Sequence, residues 1–238
     1  MISVIGVALG VVLVVLFTGL ARGMTTDMAK RATNWKAEIV FSRAGGMEFT
    51  SSNMNVDTAY VEKLRAIDGV ASAVPVGRYI TPNTKGRFGV LQLDGVDWEP
   101  FAAMNEMRLV AGRGATAVNE VILDARQFRE DKVTLGDEIE LFGGKKYKVV
   151  GVFEPPSGSR IKMSMAAMQD ALGAPDKCTY ILVKLKDGAD TDAVAAAINA
   201  KLPGNKINLT RELVIDAQER IPGLNTFLRV LVGLGAFV

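Results

Sequence analysis

The chain has 238 residues, of which 49 % are hydrophobic and 23 % charged, and its net charge is +2. So small a charge gives no reason to expect a nucleic-acid partner. The chain has no histidine and a single cysteine, Cys178. An internal disulfide is therefore excluded, and metal sites that need His or Cys ligands are nearly excluded. We expect no cofactor and no metal.

The first 23 residues predict a transmembrane helix. Residues 2–21 carry no charge, and at about 1.5 Å per residue they extend about 30 Å, the thickness of the hydrocarbon core of a bilayer. A cleaved signal peptide is the alternative, although it would need a basic start and a shorter apolar core. Gly6 with Gly10, and Gly19 with Gly23, have the GxxxG spacing that allows close helix packing, unless they only reflect the frequency of glycine in membrane helices.

A β-α-β unit follows this helix. "KAEIVFSR" alternates apolar and polar residues as a strand does. Tyr60, Leu64 and Ile67 share one face of the next helix, and "VASAVPVGRYI" forms the second strand. Because Pro75 has no backbone donor, it favours an edge position.

The loop "AGGMEFTSSNMN" lies inside that first unit. Its Met47, Phe49 and Met54 form an apolar cluster within a polar segment, which makes them candidates for contact with a substrate or partner. Packing of the same side chains beneath the loop is the alternative.

Residues 86–173 are predicted to form a β-rich insert of short strands. Two of the strands, "DEIELF" and "KKYKVVGVFE", are joined at Gly143 and Gly144, which indicates a hairpin. A short helix capped by Ser164 ends the insert.

A second β-α-β unit follows, made of "CTYILVKLK", the helix "TDAVAAAINAKL" and "NKINLT". Two such units can pair into one antiparallel sheet with both helices on one face, the ferredoxin-like plan. The predicted class is therefore α+β. Residues 24–222 make the folded domain, with 24–85 and 174–212 in the ferredoxin-like part.

The end of the chain changes character. Residues 213–222 read as an amphipathic stalk, and residues 223–238 read as the start of a second transmembrane helix. We therefore expect a fragment of a longer product, or a truncated one, in which a folded domain lies between two membrane helices. Charge counting alone leaves the orientation open.

The sequence contains no catalytic signature. "GGKKYK" lacks the spacing and the hydroxyl of a phosphate-binding loop, and without histidine no Ser-His-Asp triad can form. Cys178, within a strand pattern, is predicted to be a small core residue. Two acidic pairs, Glu130-Asp131 and Asp137-Glu138, are predicted to be surface charges. We predict no catalytic residue.

The order of the segments resembles the permease subunits of MacB/FtsX-type ABC transporters, including the lipoprotein-releasing LolC/LolE branch. The phrases that carry the resemblance are "GVALGVVLVVLFTGLARGM", "WKAEIVFSRAG", "YVEKLRAIDGVASAVPV", "LDGVDWEPF", "RLVAGRG", "NEVILDARQF", "VTLGDEIELFGGKKYKVVGVFEPPSG" and "YILVKLKDGADTDAVAAAINAKLPG". The resemblance implies a ferredoxin-like "porter" part, a β-rich "sabre" insert and four membrane helices. It also implies a separate or fused ATPase.

The expected function follows from this resemblance. A non-catalytic permease would couple ATP hydrolysis by a cytoplasmic ABC ATPase subunit to a conformational change outside the membrane. The implied partners are membrane lipid, a second permease copy or homologue, and a periplasmic adaptor or lipoprotein. The implied location is the inner (plasma) membrane, multi-pass in the full-length protein, with the central domain extracytoplasmic. The alternatives are a membrane-anchored sensor ectodomain and a membrane-anchored periplasmic enzyme.

Overall fold

The computed structural model describes residues 34–43, 53–82, 90–141 and 144–212, together with the helical positions 10, 12, 15, 16, 19 and 23. The chain divides into two compact units: Asn34–Thr210, and Met1–Thr33 with Arg211–Val238. No helix in the described part of the chain is long and apolar enough to cross a membrane. The predicted membrane helices, apart from the isolated positions, and the predicted stalk at 213–222 lie outside the described residues.

The Asn34–Thr210 unit alternates strands with short helices. Its strands are β1 Ile39–Arg43, β2 Val56–Asp57, β3 Val70–Pro82, β4 Val90–Gly95, β5 Arg108–Gly112, β6 Glu120–Asp124, β7 Glu138–Leu141, β8 Lys145–Glu154, β9 Ile161–Met163, β10 Lys177–Cys178, β11 Tyr180–Leu185 and β12 Asn205–Leu209. Its helices are α1 Tyr60–Arg65, α2 Trp98–Met104, α3 Ala125–Glu130, α4 Met165–Leu172 and α5 Thr191–Lys201. The structure is of the predicted α+β class.

Ten strands form one sheet in the order β12-β1-β11-β3-β4-β9-β6-β8-β5, with β7 paired to β8. We call β12, β1, β11 and residues 70–76 of β3, with α1 and α5, the terminal half. Its strand pairs are all antiparallel, and buried residues of both helices belong to one core cluster. This order fits the ferredoxin-like plan.

Local sequence signals account for the helix starts. The Asp190 carboxylate accepts hydrogen bonds from the backbone N–H groups of Asp192 and Ala193 at the start of α5, and the Ser164 hydroxyl accepts one from Ala167 at the start of α4. Such caps satisfy donors that the helix itself leaves unpaired.

Residues 77–82 of β3, strands β4 to β9 and helices α2 to α4 form what we call the central half. Two of its strand pairs, β4 with β9 and β6 with β8, are parallel, and the others are antiparallel. The predicted hairpin is present as β7 and β8, with Leu141 opposite Lys145. Residues 142 and 143 of its turn lie outside the described ranges.

Strand β3 belongs to both halves. Val70–Val76 pairs with β11, whereas Gly77–Pro82 pairs with β4. The predicted edge position of this strand is wrong, because β3 lies inside the sheet between β11 and β4. At Pro75 itself, however, β11 is the paired strand and β4 begins its pairing only at Gly77. The missing N–H of Pro75 is tolerated there because no second strand needs it. The two halves therefore meet at Val76 and Gly77.

The excised span of residues 24–222 is expected to fold without the membrane helices. The Asn34–Thr210 unit buries apolar side chains from both halves in one cluster of its own, and such a core supplies the main driving force for folding. Far-ultraviolet circular dichroism with a cooperative urea transition would confirm this. A span that remains unfolded would show that the helices are needed for the core.

Candidate functional site

A buried ion pair lies where β3 passes into the central half. Arg78 follows the switch residue Gly77, and its register partner on β4 is Asp94. The Arg78 Nε and Nη2 atoms donate to the two Asp94 carboxylate oxygens at 2.8 and 3.1 Å. Both side chains are almost fully buried. A bidentate pair of this kind fixes the relative position of the two strands that carry it.

A buried lysine from β9 completes the network. The Lys162 Nζ atom donates to the backbone carbonyls of Ser157 and Ser159 at 2.8 and 3.1 Å, and it lies 3.5 Å from an Asp94 carboxylate oxygen. It also lies 4.8 Å from the centre of the Phe101 ring. The lysine thus ties the turn before β9 to the ion pair.

The electrostatics of the network follow from its burial and its charges. Burial raises the pKa of Asp94, but the charges of Arg78 and Lys162 and the hydrogen bonds to the carboxylate outweigh it, so the pKa falls from 3.8 to about 2. Burial lowers the pKa of Lys162 to about 8, and the Asp94 charge offsets only part of that effect. Asp94 is therefore ionised at neutral pH, as the salt bridges require.

Aromatic rings cover the Arg78 guanidinium. Its Cζ atom lies 5.7 Å from the centre of the Trp35 ring and 5.2 Å from that of Tyr180. The two rings pack on each other with their centres 5.7 Å apart. Gly158 leaves room for this arrangement, because a Cβ atom there would lie 2.7 Å from an Asp94 carboxylate oxygen. A network enclosed in this way has no access for a substrate, so we assign it a structural role.

The two ends of the Asn34–Thr210 unit lie side by side. Ile39 and Leu209 are register partners in the antiparallel β1–β12 pair. Beyond them, the Thr210 backbone N–H donates to the Glu38 carbonyl at 2.9 Å, and the Thr210 hydroxyl donates to the Ala37 carbonyl at 2.7 Å. Residues 37–39, at the start of β1, are therefore adjacent to Leu209 and Thr210, where β12 ends.

An open groove of about 540 Å³ lies on the central half. Three of its charged side chains form ion pairs: Glu106 with Lys36 at 3.3 Å, Asp124 with Arg160 at 3.2 Å, and Arg126 with Glu130 at 2.6 Å. Three acidic and three basic side chains line the groove, so its charge favours neither an anionic nor a cationic ligand. The charged lining residues are Glu106, Arg108, Asp124, Arg126, Arg129 and Glu154.

The site residues predicted from sequence are not brought together in the described part of the chain. Met54 is only 8 % exposed and belongs to the core cluster, as the packing alternative has it. Met47 and Phe49 lie outside the described residues, so their contact role remains a prediction.

The predicted helix-packing glycines are likewise untested. Gly10, Gly19 and Gly23 are helical positions at which an added Cβ would meet no atom within 4 Å. Gly6 lies outside the described residues. Cys178 is fully buried, as predicted, and burial raises the pKa of its thiol to about 12.

Sequence reasoning missed Arg78, Asp94 and Lys162. Each lies in a short apolar run, "VGRYI", "LQLDGV" and "RIKMS". Charged residues are almost never fully buried unless they are paired. The sequence signal for burial was therefore a single charged residue within a strand pattern. Nothing in the sequence shows which of these charged residues form ion pairs. No cluster of acidic, cysteine or histidine side chains that could hold a metal ion occurs among the described residues.

Comparison with solved structures places the fold in a known class. The periplasmic region of MacB from Actinobacillus actinomycetemcomitans superimposes with a TM-score of 0.55 at 14 % identity, covering 78 % of this chain and 94 % of that one. The extracellular domain of the noncanonic ABC-type transporter YknZ from Gram-positive bacteria gives a TM-score of 0.51 at 14 % identity, covering 72 % and 98 %. The fold is thus shared with these two domains.

The family model of the MacB-like periplasmic core domain matches residues 1–201. The chain belongs to this family. None of the curated proteins matches it in sequence.

Proposed function

We propose that this chain forms the extracytoplasmic part, with flanking membrane helices, of an ABC-transporter permease. It performs no chemistry itself and passes motion from the membrane to the outside. Membership of the MacB-like periplasmic core domain family supports this proposal. The observation that carries it is the pairing of the first and last strands of the unit, with Ile39 opposite Leu209.

The juxtaposed ends matter because the unit has membrane helices predicted on both sides of it. We take the segment before β1, residues 22–35, as a second stalk beside that at 213–222, and the two stalks would act as a pair on the adjacent first and last strands of the unit. Ladder hydrogen bonds between β1 and β12 then distribute the load across the sheet. The domain boundaries given above, with a porter part, an insert at 86–173 and a stalk at 213–222, belong to this proposal.

A cytoplasmic ABC ATPase subunit supplies the energy, and a second permease copy or homologue completes the membrane assembly. The membrane in question is the inner (plasma) membrane, with the Asn34–Thr210 unit on its outer side. A periplasmic adaptor or lipoprotein is the expected contact beyond it.

The chain alone is expected neither to bind nor to hydrolyse ATP, because it has no phosphate-binding loop. The test co-expresses the full-length permease with a candidate ABC ATPase subunit and purifies the complex through a tag on the permease. Co-purification of an active ATPase, and no nucleotide binding by the permease alone, are the expected results. Micromolar ATP binding by the permease alone, or a kinase domain in the full gene product, would favour an enzyme or a sensor instead.

A further inference from the structure

The segment that leads into β1, residues 34–38, contacts both halves of the sheet. We call it the entry segment. From Ile39 onward the chain lies in β1, between β12 and β11 of the terminal half. Immediately before that strand, the side chains and backbone of the entry segment bind residues of the central half. Five residues thus connect the incoming chain to both halves.

Three polar contacts join the entry segment to the central half. The Asn34 Nδ2 atom donates to the Pro156 carbonyl at 2.5 Å. The Lys36 backbone N–H donates to the Asn105 side-chain oxygen at 3.3 Å, and the Lys36 ammonium lies 3.3 Å from the Glu106 carboxylate.

These partners are themselves held in place. Asn105 is fully buried, and its side-chain amide donates to the Phe101 carbonyl at the end of α2 at 2.9 Å. Pro156 lies in the turn whose Ser157 and Ser159 carbonyls bind Lys162. Two of the three contacts are therefore with fixed parts of the central half, whereas the ion pair of Lys36 with Glu106 is 42 % and 69 % exposed.

The middle residue of the entry segment packs into the charged network. Trp35 is 6 % exposed and covers the Arg78 guanidinium, which pairs with Asp94. A side chain at Gly158 would lie 3.3 Å from the Trp35 indole nitrogen. The tryptophan thus fills the space between the switch point of β3 and the turn before β9.

We propose that the entry segment is a clamp that sets the orientation of the central half relative to the terminal half. Through it, the chain that enters at Asn34 is joined to the central half before it enters β1. Asn34 and Lys36 are positioning residues, and the ion pair of Arg78 and Asp94 is the fixed point against which Trp35 rests. The role in transport rests on the proposed function, whereas the clamp itself is a property of this one unit.

The test uses the full-length protein with its ATPase in nanodiscs and measures the distance between two spin labels. One label replaces Asn199 on α5 in the terminal half, and the other replaces Val118, which is 59 % exposed, in the central half. Native Cys178 is fully buried and stays unlabelled. The clamp variant combines Asn34→Ala with Lys36→Ala.

The matched control combines Lys186→Ala with Asn205→Ala. It removes the same residue types and the same charge, breaking the Lys186–Asp68 ion pair and the hydrogen bond from Asn205 to the Leu202 carbonyl within the terminal half. We expect the single narrow distance peak of the unmodified protein to broaden in the clamp variant and to persist in the control. Circular dichroism spectra of all three proteins should coincide.

A peak that stays narrow in the clamp variant, or that broadens equally in the control, would overturn the clamp. The function is tested separately by ATP-dependent change in the same distance. A clamp variant that keeps its ATPase activity and loses this change supports the transmitting role. If the unmodified complex shows no ATP-dependent change at all, the proposed function fails, while the peak widths still decide the clamp.

Discussion

Replacing Asp94 with alanine is expected to lower the free energy of unfolding by about 3–5 kcal/mol, because it leaves two buried cations without their carboxylate. Arg78 and Lys162 are 3 % and 0 % exposed in their side chains, so water cannot take the place of the lost partner. Urea titration in detergent, followed by the fluorescence of Trp35 and Trp98, measures the change.

The control for this prediction is Glu130→Ala, which breaks an ion pair whose Arg126 and Glu130 side chains are 56 % and 42 % exposed. An exposed pair of this type contributes about 0.5 kcal/mol or less. The milder Asp94→Asn variant keeps the shape of the side chain and serves if the alanine variant does not fold. Equal losses for Asp94→Asn and Glu130→Ala would show that the network does not stabilise the fold.

The pH dependence gives a second measure of the same residue. Folding lowers the pKa of Asp94 from 3.8 to about 2. The ionised carboxylate therefore contributes fully to the free energy of unfolding above pH 3.8, and this contribution is lost as the pH falls through about 2. The unmodified chain should therefore lose more stability across this range than Asp94→Asn does. Glu120, whose pKa is also lowered to about 2, titrates in both proteins and cancels in the difference.

Replacing Gly95 with alanine is expected to cost about 1–3 kcal/mol, the usual penalty for inserting a methyl group into a filled core. The new Cβ would lie 2.4 Å from the Cβ of Met168, a fully buried residue of α4. A Cβ atom moves only with its backbone, so relief would require α4 to shift away from the sheet. The same urea titration measures the effect.

Gly77, the register partner of Gly95 on β3, is the matched control. A Cβ at Gly77 would lie 3.0 Å from the Met168 Cγ and 3.3 Å from the Met54 Cε, atoms farther out on flexible side chains. These side chains can change rotamer, so Gly77→Ala should cost clearly less than Gly95→Ala. Equal costs would mean that α4 does not pack against β4 at this distance.

Local patterns predicted much of the terminal half. Alternation located β1, strand-like apolar runs located β3 and β11, and the turn before "TDAVAAAINAKL" located α5, while in the central half the Ser164 cap located α4. Each of these signals involves residues that are close together in sequence, so it can be recognised without knowledge of the tertiary structure. The α+β class followed from their order.

The central half was less predictable. Its parallel pairs, β4 with β9 and β6 with β8, join strands that are distant in sequence, and period-two alternation says nothing about which strands become neighbours. Met54 shows a related limit, since the sequence left partner contact and packing beneath the loop both open, and the core cluster includes Met54.

The buried network was missed for a physical reason. A charged side chain of a strand can be buried only when a residue of opposite charge pairs with it. Here that residue lies on another strand, and the fold determines which one it is. Arg78 and Asp94 come within hydrogen-bonding distance because β3 and β4 pair in one particular register. The sequence contains both residues but not the register.

The central claim is that stalk motion drives a conformational change outside the membrane. Its most direct test replaces Ala217 and Gln218 with glycine. Both residues belong to the predicted stalk, which lies outside the described residues. Each glycine should lower the stability of a helix there by roughly 1 kcal/mol relative to alanine. The readout is energy transfer from a donor dye at Asn199→Cys to acceptor lipids in the outer leaflet, with ATPase activity measured in parallel.

The control replaces Ala196 and Ala200, two exposed residues of α5, with glycine. In the unmodified complex and the control, ATP should change the energy transfer. The stalk variant should keep its ATPase activity and its folded domain but lose the ATP-dependent change. An undiminished change in the stalk variant would contradict the account, because it would show that the stalk is only a tether.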